Sequence, residues 1–185
     1  MADREALRDF QRRLADRLQA APAGGVQASW LAVEAGGGRF LIPLAQAGEI
    51  FPEAIVHPVP YTQPWFLGVA SLRGALHGVV DLTRLLVAQA GRDALTSPTN
   101  PSFASSASGE AQWISFSSAL EVQCVLRVDR LSGLRASDAF TASRAPPEGQ
   151  PDWMGGRHQE AGGTTWQALD LARLSQQPQF LHIGA

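Results

Sequence analysis

Short apolar runs, separated by glycine and proline, make up most of the chain. Runs that alternate with polar residues, or that are rich in β-branched residues, predict β-strands, and the Gly and Pro residues between them predict turns. Ser132-Gly133 is a candidate bulge in one of these runs. Many short strands at close spacing favour small barrels or a sandwich. The predicted strands are 26–34, 39–43, 49–51, 55–59, 67–72, 76–80, 112–117, 122–126, 128–134 and 164–169.

Residues 3–20 have a helical period instead. Leu7, Phe10, Leu14 and Leu18 recur at spacings of three and four, so a helix would carry them as one apolar stripe among charged side chains. The stripe must pack against its own domain or against a partner protein, and the sequence leaves both alternatives open. We expect a helical extension over residues 1–22 and one β domain over residues 23–185.

Two stretches predict loops. Residues 91–109 are dominated by Ser, Pro, Thr and Ala. Such a stretch cannot bury enough apolar surface to offset the entropy lost on ordering it, so we expect a mobile surface loop that joins two halves of the chain. Residues 144–152 contain three prolines and predict a second loop.

The most informative stretch runs from Trp65 to Leu86. An apolar, β-compatible run is interrupted at Arg73-Gly74, as a hairpin turn would do, and a second such run follows. Asp81 then precedes Leu-Thr-Arg-Leu-Leu, which is the position of a helix N-cap. The stretch therefore predicts a strand, a tight turn, a second strand and a short capped helix.

The same order of residues recurs near the C-terminus. Trp65 and Trp153 each begin a Trp-x-x-Gly sequence, and Asp81 and Asp170 each begin Asp-Leu-x-Arg-Leu at a similar distance downstream. The two carboxylates could be a catalytic pair, but N-capping explains both of them without chemistry. Two copies of one unit predict two similar half-domains.

Composition excludes several classes of function. The chain has 185 residues, is 45% hydrophobic and carries a formal net charge of −2. These values are typical of a globular protein with one domain or two small, closely packed ones, whereas a nucleic-acid-binding protein usually carries a basic excess. All 15 basic residues are Arg, so any chemistry that needs a lysine is excluded.

No pattern of residues predicts a catalytic or metal site. The four histidines are scattered, and none lies at metal-ligand spacing from another or from Cys124. Cys124 is the only cysteine and lies in an apolar run, so we expect a buried structural thiol. We predict no catalysis, no metal and no cofactor. The absence of a signal-peptide pattern and of a long apolar run predicts a cytoplasmic location.

Arg73 is the residue whose role these arguments leave open. It follows an apolar run and precedes Gly74. It is either an exposed arginine in a turn or a positioned guanidinium that binds the fold or a partner.

The central stretch resembles the signature of CheW-like chemotaxis coupling domains, and the similarity extends over about residues 29–174. Ser71 stands where the family usually has Asn, and Ala47 stands where it has a larger apolar residue, which bears on the choice of partner. The N-terminal helix is similar to the extension of PilI-type members, the adaptors of systems that control type IV pili and twitching motility. The segments that carry the family resemblance are Pro64 to Gly74, Val79 to Leu86, Ile42-Pro43-Leu44 with Glu49-Ile50, Leu126 to Ser132, and Leu169-Asp170-Leu171.

The resemblance implies a mainly β fold of two interlocked, SH3-like five-stranded β-barrels, with an N-terminal amphipathic helix and short capped helices. It implies an adaptor without catalysis, which couples methyl-accepting chemoreceptors to a CheA-type histidine kinase. One barrel would bind the regulatory domain of the kinase, and the groove between the barrels would take the receptor tip. The implied location is the cytoplasm at receptor arrays, without nucleic acid and without membrane insertion. The partner-binding residues implied by position are Arg73, Leu72, Gly74, Glu49, Ile50 and Ala47.

An alternative function from another class is a ligand- or nucleic-acid-binding β-barrel module unrelated to chemotaxis. Such a module needs a basic groove interleaved with aromatic side chains. The arginines are dispersed along the sequence and the net charge is negative, which disfavours this alternative. A hydrolase has no supporting set of residues.

Overall fold

The structure is a computed structural model that describes residues 28–93 and 111–185. The helix predicted over residues 3–20 and most of the loop predicted over residues 91–109 lie outside these ranges. The strands are β1 (Ala28–Ala35), β2 (Gly38–Pro43), β3 (Ala47–Pro52), β4 (Phe66–Leu72), β5 (Ala75–Asp81), β6 (Gln112–Phe116), β7 (Cys124–Val128), β8 (Arg130–Ala136), β9 (Phe140–Arg144), β10 (Met154–Glu160) and β11 (Thr165–Leu169). The helices are α1 (Leu82–Asp93), α2 (Leu171–Ser175) and α3 (Pro178–Leu181).

The strands form two sheets. Sheet A has six strands in the order β8-β1-β2-β11-β10-β9, and sheet B has five in the order β3-β6-β7-β5-β4. Neighbouring strands are antiparallel except β2 with β11 and β5 with β7, which are parallel. Each sheet therefore has one parallel pair near its middle and antiparallel hairpins around it.

Both halves of the chain contribute to both sheets. β1 and β2 lie in sheet A, and the chain then crosses to form β3 to β5 in sheet B. β6 and β7 lie in sheet B, and the chain then returns to form β8 to β11 in sheet A. The predicted mainly β fold with two similar, interlocked halves is confirmed. The predicted strand count was wrong for sheet A, and within the described residues strand pairing does not close either sheet into a barrel.

The apolar side chains form three clusters, because several strands are buried on both faces. Successive residues of a strand point to opposite faces, so Val80 enters one cluster and its neighbour Val79 another. The central core joins the two sheets and includes Leu31, Val33, Phe40, Ile42, Trp65, Val80, Leu82, Ile114, Leu126, Trp153 and Leu169. The sheet-B core contains Ala70, Leu72, Val79, Trp113 and Val125. The sheet-A core contains Ala32, Leu41 and Trp166.

Most predicted strands are confirmed, but three predictions were wrong. Residues 55–59 form only an isolated bridge from His57 to Val69, because the prolines around them interrupt a ladder and Ile55 is exposed rather than buried. β9 and β10 were missed, since their polar and glycine residues do not alternate. The helix after Asp81 extends over 12 residues to Asp93, longer than the short helix expected. The bulge predicted at Ser132-Gly133 is confirmed, because the pairing of β8 with β1 shifts there.

The internal repeat extends to single hydrogen bonds. The backbone N–H of Asp81 donates to the carbonyl of Trp65 (2.9 Å), and that of Asp170 donates to Trp153 (2.8 Å). The Asp81 carboxylate accepts from the backbone N–H of Arg84 (2.9 Å). The corresponding Asp170 carboxylate accepts from Arg173 (3.0 Å). The helices α1 and α2 thus begin with the same side-chain cap.

The last residue of the two Trp-x-x-Gly sequences is glycine for one steric reason. A Cβ atom on Gly68 would overlap the carbonyl of His57, and a Cβ on Gly156 would lie 2.5 Å from the carbonyl oxygen of Arg144. In both halves a neighbouring backbone passes directly against the strand that follows the tryptophan, and only glycine leaves room for it.

Candidate functional site

The hairpin of β4 and β5 turns at Arg73-Gly74, as predicted. Leu72 pairs with Ala75, so Arg73 and Gly74 form the whole turn. Both have positive φ, 48° for Arg73 and 84° for Gly74. Positive φ at both central residues defines the type I′ turn, whose twist suits a two-residue hairpin. The turn places the Arg73 side chain at the tip of the hairpin.

Arg73 contacts the far edge of the same sheet. Its Nη1 lies 3.0 Å from Glu49 Oε1 and 2.9 Å from Glu49 Oε2. Its guanidinium also lies over the Phe51 ring, 5.7 Å from the ring centroid, within the range of a cation–π contact. Because β3 and β4 are the two edges of sheet B, this group of three residues connects edges that strand pairing leaves apart. We call Arg73, Glu49 and Phe51 the Arg73 cluster.

Glu49 is held in place by a bulge in β3. The register of β3 against β6 shifts between Ala47 and Ile50. The Ser115 hydroxyl accepts from the backbone N–H of Glu49 (2.7 Å) and donates to its carbonyl (3.2 Å). A Cβ at Gly48 would lie 2.5 Å from that hydroxyl oxygen, so glycine is needed for the approach.

The structure separates the six residues implied as partner-binding. Arg73 and Glu49 form an exposed ion pair, with 74% and 53% of their side chains accessible. Leu72 is buried in the sheet-B core, and Ala47 packs against the central core. Gly74 is part of the turn. Ile50 is 46% exposed, but it neighbours Glu49 in the strand and points to the other face of sheet B.

A groove of about 510 Å³ lies beside the Arg73 cluster. Phe51 and His77 form part of its wall, with ring centroids 6.4 Å apart. Glu121 and Gln123 also line it. Phe51 was not among the predicted site residues, although it lies two residues after Glu49 and a strand period of two places both side chains on one face. Ser115 was not among them either, since nothing local distinguishes it from other serines.

Sheet A contains a second cluster of the same composition. Arg135 Nε lies 2.6 Å from Glu160 Oε1, and the Arg135 guanidinium lies over the Trp166 ring at 5.4 Å from its centroid. Arg135 is in β8, at one edge of sheet A, and Glu160 is in β10, next to the other edge. The side chains are 28% and 22% exposed. We call Arg135, Glu160 and Trp166 the Arg135 cluster; no feature of the sequence predicted it.

Reactive groups are scarce in the described residues. Burial raises the pKa of the Cys124 thiol to about 12, so the thiolate that nucleophilic chemistry needs is not formed near neutral pH. Across 28–93 and 111–185, no group of three or more His, Cys, Asp or Glu side chains is placed to hold a metal ion. Nor does that part of the chain contain a helix long and apolar enough to cross a lipid bilayer.

Comparisons with known proteins point to one family. A search of curated proteins found no match. The crystal structure of the scaffolding protein TtCheW from Thermoanaerobacter tengcongensis is similar in fold, with a TM-score of 0.55 and 12% sequence identity over 77% of this chain and 88% of that one. The family model for the CheW-like domain matches residues 29–179. With most of its length matched by that model, the chain belongs to the family of CheW-like domains.

Proposed function

We propose that this chain couples methyl-accepting chemoreceptors to a CheA-type histidine kinase, as a signalling adaptor in the control of type IV pilus twitching motility. The CheW-like family is one of non-catalytic scaffolds, so the chain is an adaptor and not an enzyme. The adaptor acts in the cytoplasm, at receptor arrays that its partners anchor to the membrane. Residues 1–22, which the sequence predicts to be a helical extension, lie outside the described residues and precede the proposed β domain over residues 23–185.

The observation that carries the partner site is the exposure of the Arg73 cluster. An exposed ion pair contributes about 0–1 kcal/mol to folding, so the fold loses little when Arg73 or Glu49 takes a partner group instead. Within the described residues, Nε and Nη2 of Arg73 have no acceptor, and Nη1 alone contacts Glu49. A guanidinium with free donors, beside an aromatic ring and a groove, is suited to bind a partner's carboxylate or backbone carbonyl.

The six implied residues have two different roles in this proposal. Arg73 and Glu49 contact the partner, and Ile50 adds apolar surface on the other face of β3. Leu72, Gly74 and Ala47 act through the fold: Leu72 anchors the hairpin in the sheet-B core, Gly74 permits the turn, and Ala47 packs where the bulge begins. A partner interface built this way is small and polar at its rim, as is usual for reversible signalling contacts.

Size-exclusion chromatography with light scattering tests the proposal. The wild-type chain, mixed with the regulatory domain of the CheA-type kinase from the same organism, is expected to elute as a complex. Arg73→Glu is expected to remain folded and to lose the complex. Arg39→Glu is the matched control, because Arg39 is also exposed and forms no ion pair with another described residue. A wild-type chain that ignores the kinase domain at high micromolar concentration contradicts the proposed partner, and an Arg73→Glu chain that still binds at wild-type affinity contradicts the site.

A further inference from the structure

Two arginines face each other on the outer strands of sheet A. Arg157 in β10 lies directly opposite Arg144 in β9 in the antiparallel register, and both are exposed. Residues opposed in this way have Cβ atoms about 4.5–5.5 Å apart, and like charges there destabilise the pair of strands. The fold therefore retains two positive charges at a place where they oppose strand pairing.

Neither arginine is neutralised by a carboxylate in the described part of the chain. Six other described arginines each form an ion pair with Asp or Glu, namely Arg73, Arg84, Arg127, Arg130, Arg135 and Arg173. Arg144 and Arg157 form none there. Among the described arginines with placed side chains, the pair shares this property with Arg39, but only Arg144 and Arg157 lie opposite each other.

Arg157 is nevertheless held in position by a neutral side chain. Its Nε donates to Gln167 Oε1 (3.2 Å). The amide of Gln167 is fixed from its other end, because its Nε2 donates to the carbonyl of Gly155 (2.5 Å) and also reaches the carbonyl of Ala168 (3.3 Å). A neutral acceptor orients the guanidinium without cancelling its charge. The remaining donors of Arg157 stay available to an outside anion.

The topology places this pair at the open edge of sheet A. Phe40, Gln167, Arg157 and Arg144 lie in one row across β2, β11, β10 and β9. Phe40 is in the central core, and β9 is an edge strand. The row therefore begins in the core and ends in two solvent-exposed charges. It lies on a different sheet from the Arg73 cluster.

We propose that Arg144 and Arg157 form a second docking surface, which binds paired carboxylates on an acidic segment of a protein partner. Two neighbouring guanidinium groups match two carboxylates, and each contact is a charge-assisted hydrogen bond. A bound acidic segment also removes the repulsion between the two strands. Nucleic acid is disfavoured, because bases need aromatic platforms and the aromatic side chains Trp30, Phe140 and Trp166 contribute to the sheet-A core, on the face of the sheet opposite to this row.

Binding of a fluorescent decaglutamate peptide to the full chain tests the proposal, measured by anisotropy at about 50 mM salt. Arg144→Gln and Arg157→Gln are each expected to weaken binding by about tenfold, a typical loss for one charge-assisted contact. Arg39→Gln, which removes the same charge elsewhere on sheet A, is expected to leave binding within about twofold, since screening makes distant charges weak. Equal losses in all three variants would show a general charge effect and overturn the proposal. Tighter binding of a single-stranded oligonucleotide with ten phosphates would also overturn it.

The melting temperature of the same variants separates binding from structure. Because the two arginines repel each other, Arg157→Gln is expected to leave the melting temperature of the free chain unchanged or to raise it. The same variant is expected to bind the peptide more weakly. A fall in melting temperature together with lost binding would show that the arginines serve the fold, and the proposal would be wrong. The probe involves neither receptor nor kinase, so the outcome is independent of the proposed adaptor function.

Discussion

The Arg73 and Arg135 clusters join the edges of their sheets with the same three groups: an arginine, a glutamate and an aromatic ring. Arg73 reaches from a hairpin tip to β3, whereas Arg135 starts on β8 and reaches to β10 and β11. In sheet B the glutamate lies on an edge strand, whereas in sheet A the arginine lies on the edge strand and the glutamate lies one strand in from the other edge. The two clusters also differ in exposure, 74% and 53% against 28% and 22%. The same structural task is performed once at the surface and once half-buried.

The difference in exposure determines which cluster can serve a partner. Arg135 also donates to the carbonyls of Ser132 (2.9 Å) and Leu134 (3.1 Å), so three of its hydrogen bonds stabilise the fold. Arg73 bonds only Glu49 among the described residues. Removing a half-buried charge leaves its partner unpaired and desolvated, which costs far more than removing an exposed one. The comparison predicts one cluster for stability and one for recognition.

The largest expected effect on stability is that of the variant Arg135→Leu. This change leaves Glu160 half-buried without its cation and removes two hydrogen bonds to carbonyls, so we expect a loss of about 3 kcal/mol in the free energy of unfolding. Urea denaturation followed by tryptophan fluorescence measures the loss. Arg73→Leu is the matched change in the other sheet, and equal losses in both variants would remove the proposed distinction.

The two helix caps sharpen the comparison of the halves. Asp81 is 5% exposed and also accepts from Arg127 Nη1 (3.2 Å), whereas Asp170 bonds the neutral side chain of Gln46 (3.0 Å). We expect Asp81→Ala to cost about 2 kcal/mol and Asp170→Ala about 1 kcal/mol, since the first also removes a charge-assisted hydrogen bond to Arg127, although Arg127 keeps its ion pair with Glu53 (3.2 Å). Equilibrium unfolding of both variants measures the two losses in the free energy of unfolding. A larger loss in Asp170→Ala than in Asp81→Ala would contradict this prediction.

A smaller effect on stability is expected for Arg73→Gln. The ion pair that it removes is exposed, so the free energy of unfolding should change by less than about 0.5 kcal/mol. The same variant should lose the kinase complex, and the wild-type complex should weaken as salt is raised. Binding that is unaffected by salt would show that the charge of Arg73 is not what the partner contacts.

The smallest effect concerns pH and sheet A alone. Burial lowers the pKa of His158, whose ring lies between Trp30 and Phe140 at 5.3 and 5.2 Å. The unfolded chain therefore protonates His158 at a higher pH than the folded chain does. The contribution of neutral His158 to stability is present above the ordinary histidine pKa and is lost as the pH falls below it. Unfolding curves at pH 7.5 and pH 5 are expected to differ less in His158→Gln than in the wild type. An unchanged difference would mean that other groups cause it.

Local patterns predicted the elements that local chemistry determines. Arg73-Gly74 marked the hairpin turn, and Asp81 and Asp170 each stood before an apolar helical turn. β9 and β10 could not be predicted in this way, because Gly155, Gly156 and their polar neighbours form strands only through pairing with β11 and with each other. Residues 55–59 had β-branched side chains but not the free backbone donors that a ladder needs.

The candidate site was predicted in part for the same reason. The family motif identified Arg73 and Glu49, but their contact depends on β3 and β4 being the two edges of one sheet, which no local pattern encodes. Arg135 lies in a polar segment that resembles any exposed strand. Its contact with Glu160 depends on sheet A, which places β8 at one edge and β10 next to the other edge.

The central claim is that a partner binds the charge of Arg73, while the fold does not depend on it. The charge-swapped double variant Arg73→Glu/Glu49→Arg tests this claim most directly, by titration calorimetry with the kinase regulatory domain and by urea denaturation of the free chain. The swap restores an ion pair between β3 and the hairpin, so stability should be within about 0.5 kcal/mol of the wild type. The account predicts that binding is still lost, as in Arg73→Glu alone. If the swap restores binding, the cluster acts only by holding the hairpin, and the claim is wrong.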